Sequence, residues 1–356
     1  MRSTVMHPEA GIPAGNPAAL PGPALLPGSG PAGGPGLPVL PGGPPARPGA
    51  PAASGRRRRL KFAIALASLT ALALLAFTAL HAYVAWRLAY PPVAPLASNP
   101  FEAKGLPYSD FRIPASDGVP AVNGWHIPAP SGGTRTIVFS HGYGTNREEP
   151  WVPMYDLAEA MHVMDYNVIL FDYGFASAED RAPATGGVTE SRQLVRVIEY
   201  AAEAGADRIV VWGFSMGAGT ALQAAFLTDD IAAMILDSTF IAEPDTLALN
   251  LAQLSPVDGF PRPALVEKFF PLWAGTRLAG IPADRIKRTA YDMPILLIHG
   301  TDDEKAPVAI AEAIAASQRH PQSAVWIVPG GRHELMFRTH TGEYLRRVAA
   351  FLAGIG

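Results

Sequence analysis

The pattern of hydrophobic positions divides the chain into three parts. Residues 62–86 are apolar throughout, with no charged side chain and a single His, whereas the residues before them show neither a helical nor a strand period. From about Tyr90 onward, short apolar runs rich in β-branched residues alternate with longer helical patterns. The pattern therefore predicts a tail, one long apolar helix and a globular domain.

The globular part has the pattern of a mostly parallel sheet. Its main runs are continuously apolar rather than alternating, which is typical of strands buried on both faces. They are residues 136–140, 168–171, 208–213, 234–237, 295–299 and 325–328. Helical patterns such as 188–204 and 216–227 lie between them, and this alternation favours an α/β fold with a doubly wound sheet. Residues 111–114 and 123–127 predict an antiparallel opening hairpin.

The apolar segment predicts a transmembrane helix over residues 62–86. A helix of this length spans a hydrocarbon core of about 30 Å. A basic segment at residues 56–61 precedes it, and Tyr83, Trp86 and Tyr90 lie at its far end. The positive-inside rule then predicts a single-pass protein with a cytoplasmic N-terminus and an extracytoplasmic globular domain.

Two alternatives for this segment are a cleaved signal peptide and a buried core helix. More than fifty residues precede the segment, and no clean Ala-x-Ala site ends it, which disfavours a signal peptide. The segment is apolar all round, whereas a core helix usually has a polar face. A start codon assigned too far upstream would shorten the tail and make cleavage more credible.

The segment that precedes the basic residues has the composition of a disordered chain. Residues 1–55 are rich in Pro, Gly and Ala, so they cannot bury enough apolar surface to offset their ordering entropy. They predict a tail with extended polyproline-like stretches, and a passive spacer is favoured over a ligand for proline-binding modules. Residues 87–110 predict a linker, and residues 111–356 the globular domain.

Composition excludes several function classes. There is no cysteine, so thiolate catalysis, cysteine-based metal sites and disulfides are excluded. The net charge of −3 and the lack of basic patches interleaved with aromatic residues argue against nucleic acid as a partner. His333–Glu334 lacks the second His of a zinc-protease helix, and no Gly-Lys-Ser/Thr phosphate loop is present. We expect no metal or organic cofactor.

The strongest chemical signal is Ser215, in the sequence Gly-Phe-Ser-Met-Gly at residues 213–217. It lies in the turn between a predicted strand and the predicted helix that follows it. A Ser on such a sharp turn needs small neighbours two residues away on each side, and the glycines supply them. The helix N-terminus behind the Ser favours developing negative charge. Ser215 is therefore the candidate nucleophile.

A hydroxyl nucleophile needs a base, and the base needs a carboxylate. His333 follows the last predicted strand on a Gly-rich loop, at the sheet edge that also carries Ser215. His299, at the end of its own strand, is expected to be packed or hydrogen-bonded locally. Three adjacent acids, Asp302, Asp303 and Glu304, follow the 295–299 strand at the same edge. The order Ser, acid, His, each just past a strand, is typical of one hydrolase architecture.

An oxyanion hole needs two backbone N–H groups. Met216, directly after the nucleophile, is expected to supply one. Tyr143, in the His-Gly-Tyr-Gly sequence at residues 141–144, is expected to supply the other. An ordinary strand-to-helix turn would explain these glycines equally well. It would not explain why the loop occurs together with the candidate nucleophile, base and acid in one chain.

Together these motifs resemble the α/β-hydrolase superfamily, and closely its serine-aminopeptidase-like and Bem46-like members that are attached by an N-terminal helix. The resemblance covers roughly residue 111 to the C-terminus. It implies that Asp303 rather than Asp302 is the acid, because the family's acid lies three residues after the His-Gly glycine and four before a proline. Some relatives use the position of Asp237 instead. The loop beginning at Asp172 lacks the family's Arg-Gly pair, and Asp172 is expected to be structural.

These positions predict a serine hydrolase that uses Ser215, Asp303 and His333 on a small-molecule acyl substrate, with the lipid bilayer contacted through residues 62–86. The rival hypothesis is a catalytically idle, membrane-tethered binding or scaffold protein of the same fold. A third hypothesis makes the tail the main functional element. The stretch of about fifty residues after Phe240 is expected to form a modest cap. In it, Phe269, Phe270, Leu272 and Trp273 would line an acyl pocket or, more simply, pack a helix onto the sheet.

Overall fold

The computed structural model describes Gly43 and residues 53–355. The predicted tail, residues 1–55, falls outside the described residues except for Gly43 and residues 53–55. The first described element is helix α1, Ala53–Ala89. The predicted linker is followed as far as the short helix α2, Pro100–Lys104, which Asn99 caps by accepting hydrogen bonds from the next turn.

Helix α1 contains the predicted membrane-spanning segment. It is long and apolar enough to cross a membrane, with a mean hydropathy of 2.2 over its most apolar window. Its leucines from Leu60 to Leu80 are largely exposed. Its last turns differ, because His81, Ala85 and Ala89 are fully buried and lie four residues apart on one helix face. The end of α1 is therefore packed into the globular part.

The globular part is built on one eight-stranded sheet with the order β1-β2-β4-β3-β5-β6-β7-β8. Its strands are β1 Ser109–Ile113, β2 Val122–Ile127, β3 Arg135–Ser140, β4 Asn167–Asp172, β5 Arg208–Phe214, β6 Ile231–Asp237, β7 Ile295–Gly300 and β8 Ala324–Val328. Strands β1 and β2 form the expected antiparallel hairpin, and β3 to β8 run parallel. The predicted α/β sheet is confirmed.

Helices cover both faces of the sheet, as continuous apolar strands require. They are α3 Met154–Val163, α4 Val188–Glu203, α5 Met216–Ala224, α6 Pro244–Ala252, α7 Pro263–Phe269, α8 Pro271–Ala274, α9 Ala283–Arg288, α10 Val308–Ser317, α11 Met336–Thr339 and α12 Thr341–Gly354. The end of α1 shares one core with α4, α5 and α10. Helices α3 and α12 pack into a second core on the opposite face.

This topology places several loops at one edge. Strands β3, β5, β7 and β8 are parallel, so the loops that follow them emerge on the same side of the sheet. Those loops carry Tyr143, Ser215, Asp303 and His333. The fold therefore gathers the residues singled out in the sequence.

Helix α5 starts in close contact with the sheet. A Cβ on Gly217 would lie 2.0 Å from the carbonyl oxygen of Ser140 at the end of β3. A Cβ on Gly213 would lie 2.5 Å from the Cα of Ala218. Neither position accepts a side chain without backbone movement.

We therefore expect Gly217→Ala to destabilise the protein by about 1–3 kcal/mol or more, the range for overpacking. The measurement is the thermal unfolding midpoint in detergent. Gly342→Ala is the matched control, because a Cβ at that position of α12 meets nothing within 4 Å and Ala favours a helix. Equal midpoints for the two variants would contradict the close-packing argument.

Candidate active site

Ser215 occupies a strained turn between β5 and α5. Its backbone has φ 50° and ψ −118°, in the left-handed range that non-glycine residues rarely adopt. The carbonyl of Asp237 accepts a hydrogen bond from the Ser215 N–H at 2.9 Å, which fixes the turn against β6. The turn holds the side chain at the strand edge, and 7% of Ser215 remains exposed.

The structure brings Ser215, His333 and Asp303 into one hydrogen-bonded line. His333 Nε2 lies 2.8 Å from Ser215 Oγ. His333 Nδ1 lies 2.9 Å and 2.7 Å from the two carboxylate oxygens of Asp303. The imidazole is therefore placed to accept the Ser215 proton at Nε2 while it donates Nδ1–H to the carboxylate.

The Asp303 carboxylate is fixed by its own loop. It accepts hydrogen bonds from the backbone N–H groups of Lys305 and Ala306 at 2.9 Å and 2.8 Å. Burial alone would raise the pKa of Asp303, but the hydrogen bond from His333 and its charge outweigh burial and lower it. Asp303 is therefore held as an anion. His299 is buried below this loop with Nε2 2.9 Å from the Ala306 carbonyl oxygen, in the local role expected for it.

The pKa of His333 is raised by its acidic neighbours. Burial on its own would lower it, but the hydrogen bond to Asp303 and the negative charge around the ring outweigh burial. A base of this kind is neutral only above its raised pKa. Any reaction that needs neutral His333 is therefore lost as the pH falls through that value.

The other acids singled out in the sequence are bound to groups other than His333. Asp302 is exposed and accepts a hydrogen bond from Thr301. The Asp237 carboxylate is engaged by the Tyr344 and Ser238 hydroxyls at 2.7 Å and 2.9 Å. Asp172 forms a buried ion pair with Arg147 at 2.7 Å, which fits the structural role expected of it.

The loop after β3 lies against the nucleophile. A Cβ on Gly142 would come within 3.4 Å of the Ser215 Cβ, so Tyr143 follows directly beside the site. His141 steadies this loop, because its Nε2 accepts a hydrogen bond from the Tyr173 N–H at 3.1 Å and its Nδ1 lies 2.9 Å from the Gly142 carbonyl oxygen. Burial lowers the pKa of His141 to about 4, so the ring is neutral. Met216 is the first residue of α5, and a first-turn N–H has no partner within its helix.

Sequence reasoning missed two buried acids beside the site, Glu149 and Glu334. The Glu149 carboxylate accepts the Gly142 N–H at 3.1 Å to each oxygen. Glu334 is buried next to His333, and its Oε2 lies 4.0 Å from His333 Nε2. Burial raises the pKa of Glu149 to about 8. Burial, followed by the charge of Glu149, raises the pKa of Glu334 well above its ordinary value. In the sequence, the only local sign of these buried acids was that Glu334 directly follows His333.

The segment expected to form a cap carries α6 to α9 and is hydrogen-bonded to the loop that carries Asp303. Asn250 Nδ2 donates to the Lys305 carbonyl at 2.8 Å. Phe270 is packed in the core, whereas Leu272 and Trp273 are largely exposed. Among the residues that the structure describes, no group of three or more His, Asp or Glu side chains is placed to hold a metal ion.

The fold and part of the sequence are shared with known proteins. The family model described as alpha/beta hydrolase fold matches residues 135–283. The chain is 25% identical over 264 residues to the uncharacterised protein YfhR of Escherichia coli K12, covering 72% of this chain and 82% of that protein. It is 27% identical over 250 residues to the uncharacterised protein Rv2307c of Mycobacterium tuberculosis, covering 69% of this chain and 79% of that protein.

Solved structures share the architecture. The esterase Pf2001 of Pyrococcus furiosus superposes with a TM-score of 0.61 at 23% identity, covering 76% of this chain and 100% of that chain. The mouse alpha/beta hydrolase domain-containing protein 10 superposes with a TM-score of 0.52 at 15% identity, covering 70% of this chain and 100% of that chain. At these identities the likeness is one of fold.

The buried Glu149 makes stability depend on pH. Its pKa is about 8 in the folded protein against an ordinary 4.5, so the folded state holds the proton more tightly. Between these values the folded state binds more protons than the unfolded state, and stability falls as the pH rises. We expect a slope of about 1.4 kcal/mol per pH unit for one proton.

Unfolding midpoints measured from pH 5 to pH 8 check this dependence. Glu149→Gln retains an oxygen for the Gly142 N–H but cannot ionise, so its profile should be flatter than that of the unchanged protein. Glu203→Gln, at an exposed position near the end of α4, is the control and should leave the profile as it was. A Glu149→Gln profile as steep as that of the control would contradict the assignment.

Proposed function

We propose that this chain, whose residues 135–283 match the family model described as alpha/beta hydrolase fold, is a serine hydrolase that cleaves an ester, thioester or amide bond through an acyl-enzyme on Ser215. The observation that carries the proposal is the line from Ser215 Oγ through His333 to Asp303. A nucleophile, a base and an acid at these separations are sufficient for acyl transfer without a metal or an organic cofactor.

In the first step, His333 Nε2 takes the Ser215 proton as Oγ attacks the carbonyl carbon of the substrate. The carbonyl oxygen becomes an oxyanion, to which the N–H groups of Tyr143 and Met216 donate. Asp303 stabilises the imidazolium through Nδ1–H. The tetrahedral intermediate then collapses, His333 protonates the leaving group, and the acyl group remains on Oγ.

In the second step, water replaces the leaving group. His333, neutral again, takes a proton from the water as it attacks the acyl carbon, and the same two N–H groups stabilise the second oxyanion. His333 then returns the proton to Ser215 Oγ as the acid product leaves. Each proton removed by His333 is restored within the cycle, so the enzyme ends unchanged.

The rival hypothesis of an idle scaffold predicts no acyl chemistry. It gains no support from the site, because the strained Ser215 backbone costs free energy that a binding surface has no need to retain. A fluorophosphonate probe, which labels activated serines, separates the two hypotheses.

We expect the full chain in detergent to be labelled by the probe and to hydrolyse short-chain 4-nitrophenyl esters. Ser215→Ala should abolish both, and Asp303→Asn should lower kcat by about three to four orders of magnitude because it favours the wrong His333 tautomer. Asp302→Asn is the matched control, one residue away and exposed, and should change kcat by less than about twofold. Unlabelled, folded unchanged protein would favour the scaffold.

We propose further that α1 is an uncleaved membrane anchor in which residues 62–86 span the bilayer, with Phe62 to about His81 in the hydrocarbon core and the following turns at its far surface. Its exposed leucines lack a protein partner in the described chain, and its length meets the thickness of the hydrocarbon core. The buried His81, Ala85 and Ala89 support retention, because cleavage after the helix would remove part of the core. The N-terminus is then cytoplasmic, the catalytic domain is extracytoplasmic, and the tail is a passive spacer.

Because the chain has no cysteine, a single introduced thiol reports its side of the membrane. Val163→Cys lies at the exposed end of α3 on the catalytic domain. In intact cells, a membrane-impermeant maleimide should label it without permeabilisation, whereas a cysteine replacing Gly43 in the tail should require permeabilisation. The reverse result would contradict the proposed orientation.

A further inference from the structure

We propose that the connection between α6 and α7, residues 253–262, rests on the surface of the bilayer that α1 crosses, and that the substrate is an ester of a membrane lipid. The proposal rests on the proposed function and names the substrate class for the same site. It follows from how the end of α1 is joined to this connection and to the catalytic loops.

The connection is fixed to α1 by a buried histidine. His81 Nε2 accepts the Arg262 N–H at 3.1 Å, and His81 Nδ1 lies 2.7 Å from the Phe77 carbonyl oxygen. The Phe260 ring stands edge-on to His81 at a centroid distance of 5.3 Å, and its centroid lies 6.2 Å from that of Phe77. With both ring nitrogens engaged and aromatic contacts around it, this joint holds the connection at a fixed level along the helix.

That level coincides with the edge of the hydrocarbon core. The apolar stretch begins at Phe62, directly after Lys61. A core of about 30 Å takes about 20 helical residues, which brings its far boundary close to His81. Phe260, packed against Phe77 and His81, therefore lies near the boundary between acyl chains and headgroups.

The connection has the side chains of a segment at such a boundary. Leu254 and Val257 are 63% and 61% exposed, next to an anchor that is itself exposed and apolar. Asp258 and Arg262 are exposed on the same short segment, so the segment cannot enter the core fully. Apolar tips with charged neighbours fit an insertion of about 5–10 Å at the interface.

The same connection is joined to the acid side of the candidate site. Gln253 Nε2 donates to the Glu304 carbonyl at 2.6 Å, and Asn250 Nδ2, in the last turn of the preceding helix α6, donates to the Lys305 carbonyl at 2.8 Å. Glu304 and Lys305 directly follow Asp303. The loop that carries the acid is therefore one hydrogen bond away from the segment at the bilayer surface.

The oxyanion side of the site is joined to the anchor itself. The Tyr143 hydroxyl donates to the Leu88 carbonyl at 2.8 Å, near the end of α1. The Tyr143 backbone N–H is the proposed oxyanion donor. Both sides of the site therefore border on the anchor or on the segment tied to it, which places Ser215 close to the surface of the bilayer, where the esters of membrane lipids are concentrated.

Depth measurements on single-cysteine variants of the full chain test the location. Leu69→Cys in α1, Val257→Cys in the connection and Val163→Cys on α3 are each labelled with an environment-sensitive fluorophore in phosphatidylcholine vesicles. Val163 is the matched control, because it is as exposed as Val257 but lies on a helix that covers the other face of the sheet. Lipids carrying a nitroxide near the headgroup should quench the Val257 label at least twofold and leave the Val163 label unquenched, whereas lipids carrying a nitroxide along the acyl chain should quench the Leu69 label.

Each departure from this result has its own meaning. An unquenched Val257 label beside a quenched Leu69 label overturns the proposal without affecting the anchor. The exposed apolar side chains of the connection would then contact a protein partner instead of lipid. An unquenched Leu69 label overturns the anchor and the proposal together.

Hydrolysis measurements test the substrate class. We expect the full chain to hydrolyse a diacylglycerol or a phospholipid presented in the same vesicles. Leu254→Ser/Val257→Ser should lower that rate at least about tenfold, equivalent to about 1.4 kcal/mol, with unchanged hydrolysis of a soluble short-chain ester. Val163→Ser should alter neither rate.

A protein that hydrolyses the soluble ester but no vesicle lipid, or a double variant that loses both activities equally, overturns the lipid substrate and leaves the serine-hydrolase proposal intact. Hydrolysis of neither substrate by the unchanged protein overturns both.

Discussion

Helix α5 begins so close to the sheet that its first turn has no room for a side chain at Gly217. This contact is with the Ser140 carbonyl at the end of β3, the strand that leads into the His141–Gly142 loop. One close approach therefore fixes two parts of the site: the turn that carries Ser215 and the loop that carries Tyr143. The unfavourable φ of Ser215 is maintained because the surrounding backbone leaves no alternative path for the chain.

Several carboxyl groups lie near His333, and their different environments give them different pKa values. Asp303 accepts backbone N–H groups as well as the imidazole, which keeps its pKa low. Burial raises the pKa of Asp237 to about 6 and that of Glu149 to about 8. Near neutral pH, Asp303 therefore carries a negative charge next to the imidazole. Glu149, beneath the Gly142 loop, keeps its proton. Burial on its own raises the pKa of each of these carboxyl groups, and only at Asp303 do the hydrogen bond and charge of His333, together with the backbone donors, outweigh it.

The sheet and the meeting of Ser215, His333 and Asp303 could be predicted from the sequence, because both follow from local patterns. Continuous apolar runs mark buried strands, and residues just past parallel strands share one edge. The choice of Asp303 over Asp302 needed a family resemblance, since both follow the same strand. Glu149 could not be found in this way, because its importance comes from burial against Gly142, and burial of a loop carboxylate has no local sequence signal.

The end of α1 shows how one segment meets two sets of requirements. Over most of its length the helix presents exposed leucines, as a lipid-facing helix does. In its last turns one stripe, His81, Ala85 and Ala89, is buried, since small residues let a helix approach its neighbour closely and the histidine satisfies a backbone N–H of the connecting segment. Average hydropathy records only the first requirement, which is why the segment reads as apolar all round. The second requirement, packing against the domain, is visible in the sequence only as a histidine and two alanines spaced four residues apart. Because this stripe is packed into the domain that contains the candidate site, the helix is a structural part of that domain. The orientation of the helix axis in a membrane would therefore also set the orientation of the candidate site.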